Sequence, residues 1–435
     1  MTADASAPYA HEIAGRTLVP VILGGDIGGY SLARAFHEAY GVRSILMSTT
    51  LNGVVRDSDI VVNAVHPDMD EPDACVAALQ SIAASHPGAD VIAIASADWL
   101  VRILVERRAE LEPAIVVPYV GVELLDLVTS KHGFEDLCRE YGLAHPHTVV
   151  ADLAAGVEVD TGDLRFPVIA KAGSTAAYHH VEFAGKEKVH TVDTPEALTD
   201  LLTKVHAAGY RDTFIIQDLI PGDDSALRIT NTYVDRAGRA RRTVFGHVLL
   251  QEHTPSTLGN SSVVLTTTAD ATVAGLERML EGIGWVGAGS FDMKLDPRTG
   301  ETVLFELNPR LSRSNYYVTG SGFNPAVAYV RDWILGTDAV QDGDPATREH
   351  LFTVVPRTLL RRYLLDDDVK AAVRRVTRAK AISNPLWNRR ERQPRRWAYV
   401  AAHQLNQVKK YRTWYPRSTQ RAERAQAEAA VRAAR

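Results

Sequence analysis

The sequence predicts an α/β protein built from about three structural units. Three observations carry that expectation. The chain has 435 residues, and single cores stop growing beyond roughly 250–300 residues. Its first part alternates short apolar, β-branched runs with stretches of helical period, as in an open parallel sheet. Beyond Leu125 such runs are joined instead by tight turns, as in antiparallel hairpins.

Residues 18–24 (LVPVILG) form an apolar run ending in glycine, followed by the Gly25-Asp-Ile-Gly-Gly29 turn and a helical stretch marked by Leu32, Ala33, Phe36 and Tyr40. The glycine spacing fails G-x-G-x-x-G, and no acid closes a second strand at the dinucleotide distance. The turn is therefore read as a tight bend beside an anionic group. Residues 59–64, 91–95 and 114–117 read as further buried parallel strands. Lys131 falls on a helix. Residues 166–171 (FPVIAK) form a strand ending in lysine, and the small-residue stretch 172–177 joins it to a strand expected at 181–183. Such a loop folds over a phosphate chain, with Lys171 as its point charge. Residues 214–218 (FIIQD) are the next strand. After them 226–234 and 243–249 form an antiparallel pair, and a helix over 272–283 leads to a last hairpin, 287–294 and 302–308.

That hairpin carries the chemistry. Glu306 and Asn308 stand two apart on a strand, so they project from one face. Asp292 sits across the turn between apolar neighbours and can meet them. Strand-borne acids among Phe, Met, Leu and Val are costly unless something pairs them. Three converging oxygen donors suit Mg²⁺, which takes one or two carboxylates and completes its shell with phosphate and water. Arg310, two residues further on, would meet a transferring phosphate or a carboxylate.

Composition bounds the setting. Apolar residues make up 46% and charged residues 23% of the chain, as in an ordinary globular protein. The two cysteines, Cys75 and Cys138, have no metal-type spacing, which suits a reduced compartment. A polar N-terminal segment argues against a signal peptide, and no apolar run reaches membrane-spanning length. The expectation is a soluble, cytoplasmic protein, at the inner face of the membrane if its basic end binds there. Residues 357–435 hold 21 Lys/Arg against 6 Asp/Glu, whereas 1–356 hold 27 against 47. A basic tail on an acidic body either meets an anionic partner or docks on the body itself.

The hairpin, with its acid on one strand and Glu-x-Asn-x-Arg on the next, resembles the ATP-grasp superfamily. Within it, four stretches resemble bacterial D-aspartate ligases: 19–41 (VPVILGGDIGGYSLARAFHEAYG), 183–188 (FAGKEK), 217–235 (QDLIPGDDSALRITNTYVD) and 291–314 (FDMKLDPRTGETVLFELNPRLSRS). The resemblance implies an ATP-grasp fold with a Rossmann-like first domain over 1–124, subdomains over 125–213 and 214–340, and a basic helical extension over 341–435. It implies ATP and Mg²⁺, the metal held by Asp292, Glu306 and Asn308. Lys131 and Lys171 would hold phosphates, with Ser174 and Thr175 in the covering loop. Gln217, Asp218 and Ile220 fall at the adenine-side hinge, and Asp224 at the place of the ribose-binding acid, where Glu is commoner. The loop is poorer in glycine than the family's, and Pro309 departs from the subfamily pattern.

The activity implied is an ADP-forming carboxylate–amine ligation through an acyl phosphate, with Lys171 and Arg310 catalytic. The substrates implied are D-aspartate or a similar amino acid and an amine of a peptidoglycan precursor. Gly25, Asp26, Gly28, Arg228, Arg313 and Ser314 are candidates for the amino acid's carboxylate and ammonium. Alternatives are a small-molecule amino-acid or dipeptide ligase and a degenerate nucleotide-binding regulator. His179-His180 and His145-x-His147 lack a third metal partner. In the tail, arginine pairs interleaved with Trp387, Trp397, Tyr399, Trp414 and Tyr415 suit an anionic membrane or a lipid-linked precursor. Nucleic acid ranks lower, because no nucleic-acid motif is present.

Overall fold

The computed structural model describes residues 6–173, 177–178, 181–255, 257–267 and 271–434. Among them the strands form three sheets. The first is parallel, in the order β3-β2-β1-β4, from β1 (Leu18–Leu23), β2 (Ser44–Ser48), β3 (Val61–Val65) and β4 (Asp90–Ala95). Strands β1 and β2 are buried along their whole length, as β-branched runs between helices require. Asp26 caps the helix Ile27–Tyr40 by accepting from the Gly29 amide at 2.9 Å. Gly24 has φ +109°, and a Cβ there would collide with the Ser96 hydroxyl, so this turn requires glycine. The strand expected at 114–117 is reduced to a single bridge between Ile92 and Val116. Pro113 and Pro118 flank it and cannot donate to a ladder.

The second sheet is antiparallel, in the order β5-β8-β6-β7, from β5 (Thr148–Asp152), β6 (Val168–Ala172), β7 (His190–Val192) and β8 (Thr213–Asp218). It has its own core, where Tyr178, Tyr210 and Phe214 meet edge to face under the helix Pro195–Ala207. Two expectations need correction here. Residues 181–183 are not a strand; the partner of β6 is β7, where His190 is buried against the aromatic cluster. The boundary placed after residue 213 falls after Asp218, because β8 pairs with both β5 and β6.

The third sheet has seven strands, in the order β13-β12-β9-β10-β11-β14-β15. They are β9 (Leu227–Val234), β10 (Ala240–Gln251), β11 (Ser261–Thr266), β12 (Gly287–Leu295), β13 (Thr302–Asn308), β14 (His350–Thr353) and β15 (Ile382–Ser383). Strands β14 and β15 lie inside the segment expected to be a separate extension. The burial of β14, with β15 paired to it, ties that segment to the main core, whose members range from Ile13 to Tyr415. The helices Pro394–Trp414 and Arg417–Ala434 follow, the second held by buried Gln420 and Ala427. Much of the basic tail is therefore docked on the body. No helix among the described residues is long and apolar enough to cross a membrane.

Candidate active site

Strands β12 and β13 set the centre of the site. Their register places Asp292 opposite Glu306 and Ser290 opposite Asn308. Phe291, Met293, Leu304 and Leu307 are buried on the other face and anchor the hairpin to the core. Two carboxylates directly across an antiparallel pair repel each other. Burial and the neighbouring Glu306 push the Asp292 carboxyl above the usual carboxylate range, against the pull of Arg310. Asn308 donates its amide to Asp292 Oδ2 at 3.0 Å, and Arg310 reaches Asn308 Oδ1 at 3.4 Å.

Lys131 and Lys171 line a cleft of about 900 Å³ together with Asp292, Glu306, Asn308 and Arg310. Lys131 opens the helix Lys131–Glu140, where Ser130 caps the Gly133 amide, and its ammonium lies 3.3 Å from the Phe305 carbonyl. Burial holds the Lys131 ammonium below its ordinary range; Lys171 presses the same way, while Glu135 and Glu306 oppose it. Two ammonium groups and two carboxylates lining one cleft suit a polyanion held with its counter-cation.

The first domain closes a third side. Arg310 is held by Asp98 through two contacts, Nε to Oδ1 at 2.8 Å and Nη2 to Oδ2 at 3.0 Å. Arg313 Nε lies 3.2 Å from Asp26 Oδ2, and its Nη1 lies 3.5 Å from Glu252 Oε1. Gly28 packs against the Arg313 backbone, and its carbonyl accepts from Asn315 at 3.1 Å. Asp26, Arg313 and Ser314 line the cleft. Gly25 is turned toward Ser48 and Asn52.

Other expected residues have their side chains engaged within the protein. Gln217 donates to Thr148 Oγ1 at 2.9 Å, the Asp218 side chain accepts from the Arg165 amide, and Ile220 is buried. Asp224, expected to reach a ribose, is 2% exposed. Its Oδ2 accepts from the Gln251 amide at 3.0 Å, and His253 Nε2 lies within 3.0–3.1 Å of both oxygens. With its oxygens engaged inside the protein, Asp224 holds the loop that follows β8 instead of facing a ligand. Arg228 spends Nη1 on the Ser225 and Leu227 carbonyls, at 2.9 and 2.8 Å. Ser174, Thr175, His179 and His180 lie outside the described residues.

The hairpin donors fit a divalent cation. Asp292 and Glu306 confront each other, and a half-turn of the Asn308 amide would present a third oxygen. Among the described residues no group of three or more His, Cys, Asp or Glu converges; the donor set here is two carboxylates and an amide.

With this geometry in view, comparison with solved structures decides the fold. N5-Carboxyaminoimidazole ribonucleotide synthetase in its ADP complex is 13% identical and aligns with a TM-score of 0.56 over 77% of this chain and 81% of that one. Phosphoribosylglycinamide synthetase from Anaerococcus prevotii is 14% identical, with a TM-score of 0.52 over 74% and 76%. The chain has the ATP-grasp fold. In sequence it is 29% identical over 413 residues to D-aspartate ligase from Enterococcus faecium (strain Aus0004), covering 92% of this chain and 98% of that protein. No family model matches the chain.

Asp98 and Glu252 escaped the reading of the ATP-grasp cleft from sequence. Asp98 follows the C-terminal end of β4, and ligands of open α/β sheets bind at that edge; this signal could have found it. Glu252 has no such mark. Its place beside Arg313 is made by packing alone.

Proposed function

We propose that the protein is an ATP-dependent, ADP-forming carboxylate–amine ligase. The observation that carries this reading is the convergence of Lys131, Lys171, Asp292, Glu306, Asn308 and Arg310 on one cleft between two sheets. The similarity to D-aspartate ligase over nearly the whole chain supports D-aspartate, or a similar amino acid, as the activated carboxylate. The acceptor is the amine of a peptidoglycan precursor.

A carboxylate resists attack by an amine until its oxygen becomes a leaving group. The γ-phosphoryl group of ATP supplies this, giving an acyl phosphate and ADP; the amine then displaces phosphate and an amide forms. Lys131 and Lys171 orient the phosphate chain, and the backbone of residues 217–220 serves the adenine side. Asp292, Glu306 and Asn308 would hold Mg²⁺, which neutralises phosphate charge when bound. Arg310, fixed by Asp98, faces the transferring phosphoryl group and then the tetrahedral oxyanion. Arg313 receives the amino acid's spare carboxylate, and Asp26 its ammonium. Closure over the cleft keeps water from the acyl phosphate.

The exposed Arg389, Arg390, Arg392 and Arg395 follow Trp387, which is 46% exposed, along the chain, and they are the residues assigned to an anionic membrane or lipid-linked precursor. The location proposed is the cytoplasmic face of that membrane. An ADP-release screen over D- and L-amino acids, with a lysine- or ornithine-containing stem peptide as acceptor, tests the whole reading. Turnover that needs both an amino acid and the stem peptide is expected. Amide formation between free amino acids alone would make the protein a dipeptide ligase, and absence of all ATP turnover would leave only a nucleotide-binding role.

A further inference from the structure

The tripeptide Gln251-Glu252-His253, at the end of β10, lies between the cleft and the C-terminal helices. Each of its residues is held on one side by the tail. Tyr411 donates its hydroxyl to the Gln251 carbonyl at 2.7 Å, and Lys410 donates to Glu252 Oε2 at 3.2 Å. Tyr415 stacks on His253 with ring centroids 3.5 Å apart and an interplanar angle of 6°. Each also acts towards the site. Gln251 and His253 bind Asp224, and Glu252 Oε1 faces Arg313.

We infer that the C-terminal extension is a positioning element of this site, acting through two separable arms. One arm, Lys410–Glu252–Arg313, sets the cation that receives the amino-acid carboxylate. The other, Tyr415–His253–Asp224, sets the loop between β8 and β9 and with it the nucleotide side. The inference rests on the ligase reading of the cleft.

The first arm follows from how one carboxylate is shared. Glu252 is 2% exposed, so its charge must be met inside the protein. Oε2 takes Thr257 at 2.6 Å and Lys410, leaving Oε1 to Arg313 at the longer distance of 3.5 Å. A guanidinium held this loosely keeps donors for a substrate carboxylate. Without Lys410 more of the buried charge falls on Arg313, which then binds a second carboxylate less well. In the second arm, Tyr415 is 1% exposed, its hydroxyl donates to Glu423 at 2.6 Å, and its carbonyl accepts from Tyr363 at 2.6 Å. That scaffold fixes the plane of the His253 ring. Gln420, from the last helix, adds a 3.3 Å contact to Asp223 in the same loop.

The test uses the full-length enzyme, with ATP, D-aspartate and the stem peptide, and Mg-ADP titration as a binding probe. Lys410→Met should raise KM for D-aspartate about tenfold while KM for ATP moves less than about twofold, and Lys410→Arg should restore it. Tyr415→Leu should do the opposite, weakening ATP and Mg-ADP about tenfold and sparing D-aspartate, with Tyr415→Phe restoring the stack. If Tyr415→Leu fails to fold, His253→Gln carries the second arm. Both constants moving together in each variant, or neither moving, overturns the inference. A wild-type enzyme that binds no Mg-ADP and turns over no amino acid would instead overturn the ligase reading.

Discussion

Replacing Glu391 with alanine tests whether the basic C-terminal region is an appendage or part of the body. Glu391 is 2% exposed and accepts from the Tyr30 hydroxyl at 2.7 Å, the Ser58 hydroxyl at 2.7 Å and the Asp59 amide at 2.6 Å. Arg396, 1% exposed, lies with Nε 3.6 Å from the same carboxylate and its guanidinium 4.4 Å over the Tyr30 ring. Alanine would leave that guanidinium without counter-charge and three donors without an acceptor. Removing one partner of a buried ion pair costs about 3–5 kcal/mol, and each orphaned neutral donor adds about 1 kcal/mol. The carbonyls of Gly53 and Val54 and the aromatic face still surround Arg396, which limits the damage. The expected loss is about 5 kcal/mol, a large share of the roughly 5–15 kcal/mol that holds a folded domain. Urea unfolding followed by tryptophan fluorescence measures it directly, because Trp387 and Trp397 pack 4.9 Å apart beside this loop. Replacing both Glu391 and Arg396 with methionine should recover part of the loss, since the uncompensated charge is then gone while the three donors stay without an acceptor. A loss below about 1 kcal/mol for Glu391→Ala, or a double variant no more stable than the single one, would refute the reasoning.

Three further outcomes are expected. Glu306→Gln keeps the side-chain shape but removes one of the two facing carboxylates, and should lower kcat by about 100- to 1000-fold, roughly 3–4 kcal/mol of transition-state stabilisation; steady-state ADP release decides it, and near-normal turnover would exclude Glu306 from the metal site. Lys171→Met should weaken Mg-ADP binding by about tenfold or more without altering the melting temperature, as removal of one point charge from an open cleft requires; calorimetric titration reads the first and a thermal melt the second. His350 is 5% exposed, and burial, reinforced by Arg348 and Arg34, holds its pKa down to about 4. Because the folded value lies below the unfolded one, its contribution is whole above about pH 6.5 and is lost as pH falls towards 4, amounting to about 3 kcal/mol. Urea midpoints of His350→Gln should therefore decline less steeply between pH 7 and 4 than those of the wild type, and parallel curves would remove this histidine from the acid limb.

What depends on local spacing can be read from the chain alone. A two-residue step puts Glu306 and Asn308 on one face of a strand, and a short turn brings Asp292 opposite, so the donor set was legible before any fold was known. Lys131, Lys171, Arg310, Asp26 and Arg313 were legible for a related reason, since each lies near a strand end or a turn that a pattern can place. Tertiary structure alone decided who holds them. Asp98 and Arg310 are 212 residues apart, and Glu252 and Lys410 are 158 apart, so no periodicity relates them. The same holds for Asp224, whose position in the chain suits a ribose contact but whose oxygens are held by Gln251 and His253. The basic tail shows the division best. Its charge count predicted attraction to something anionic, but a count does not say which side chains are turned inward. Packing buries Glu391 and Arg396, adds β14 and β15 to the large sheet, and leaves Arg389, Arg390, Arg392 and Arg395 outside. Desolvation made that choice: a charge goes inside only where the fold supplies its partners.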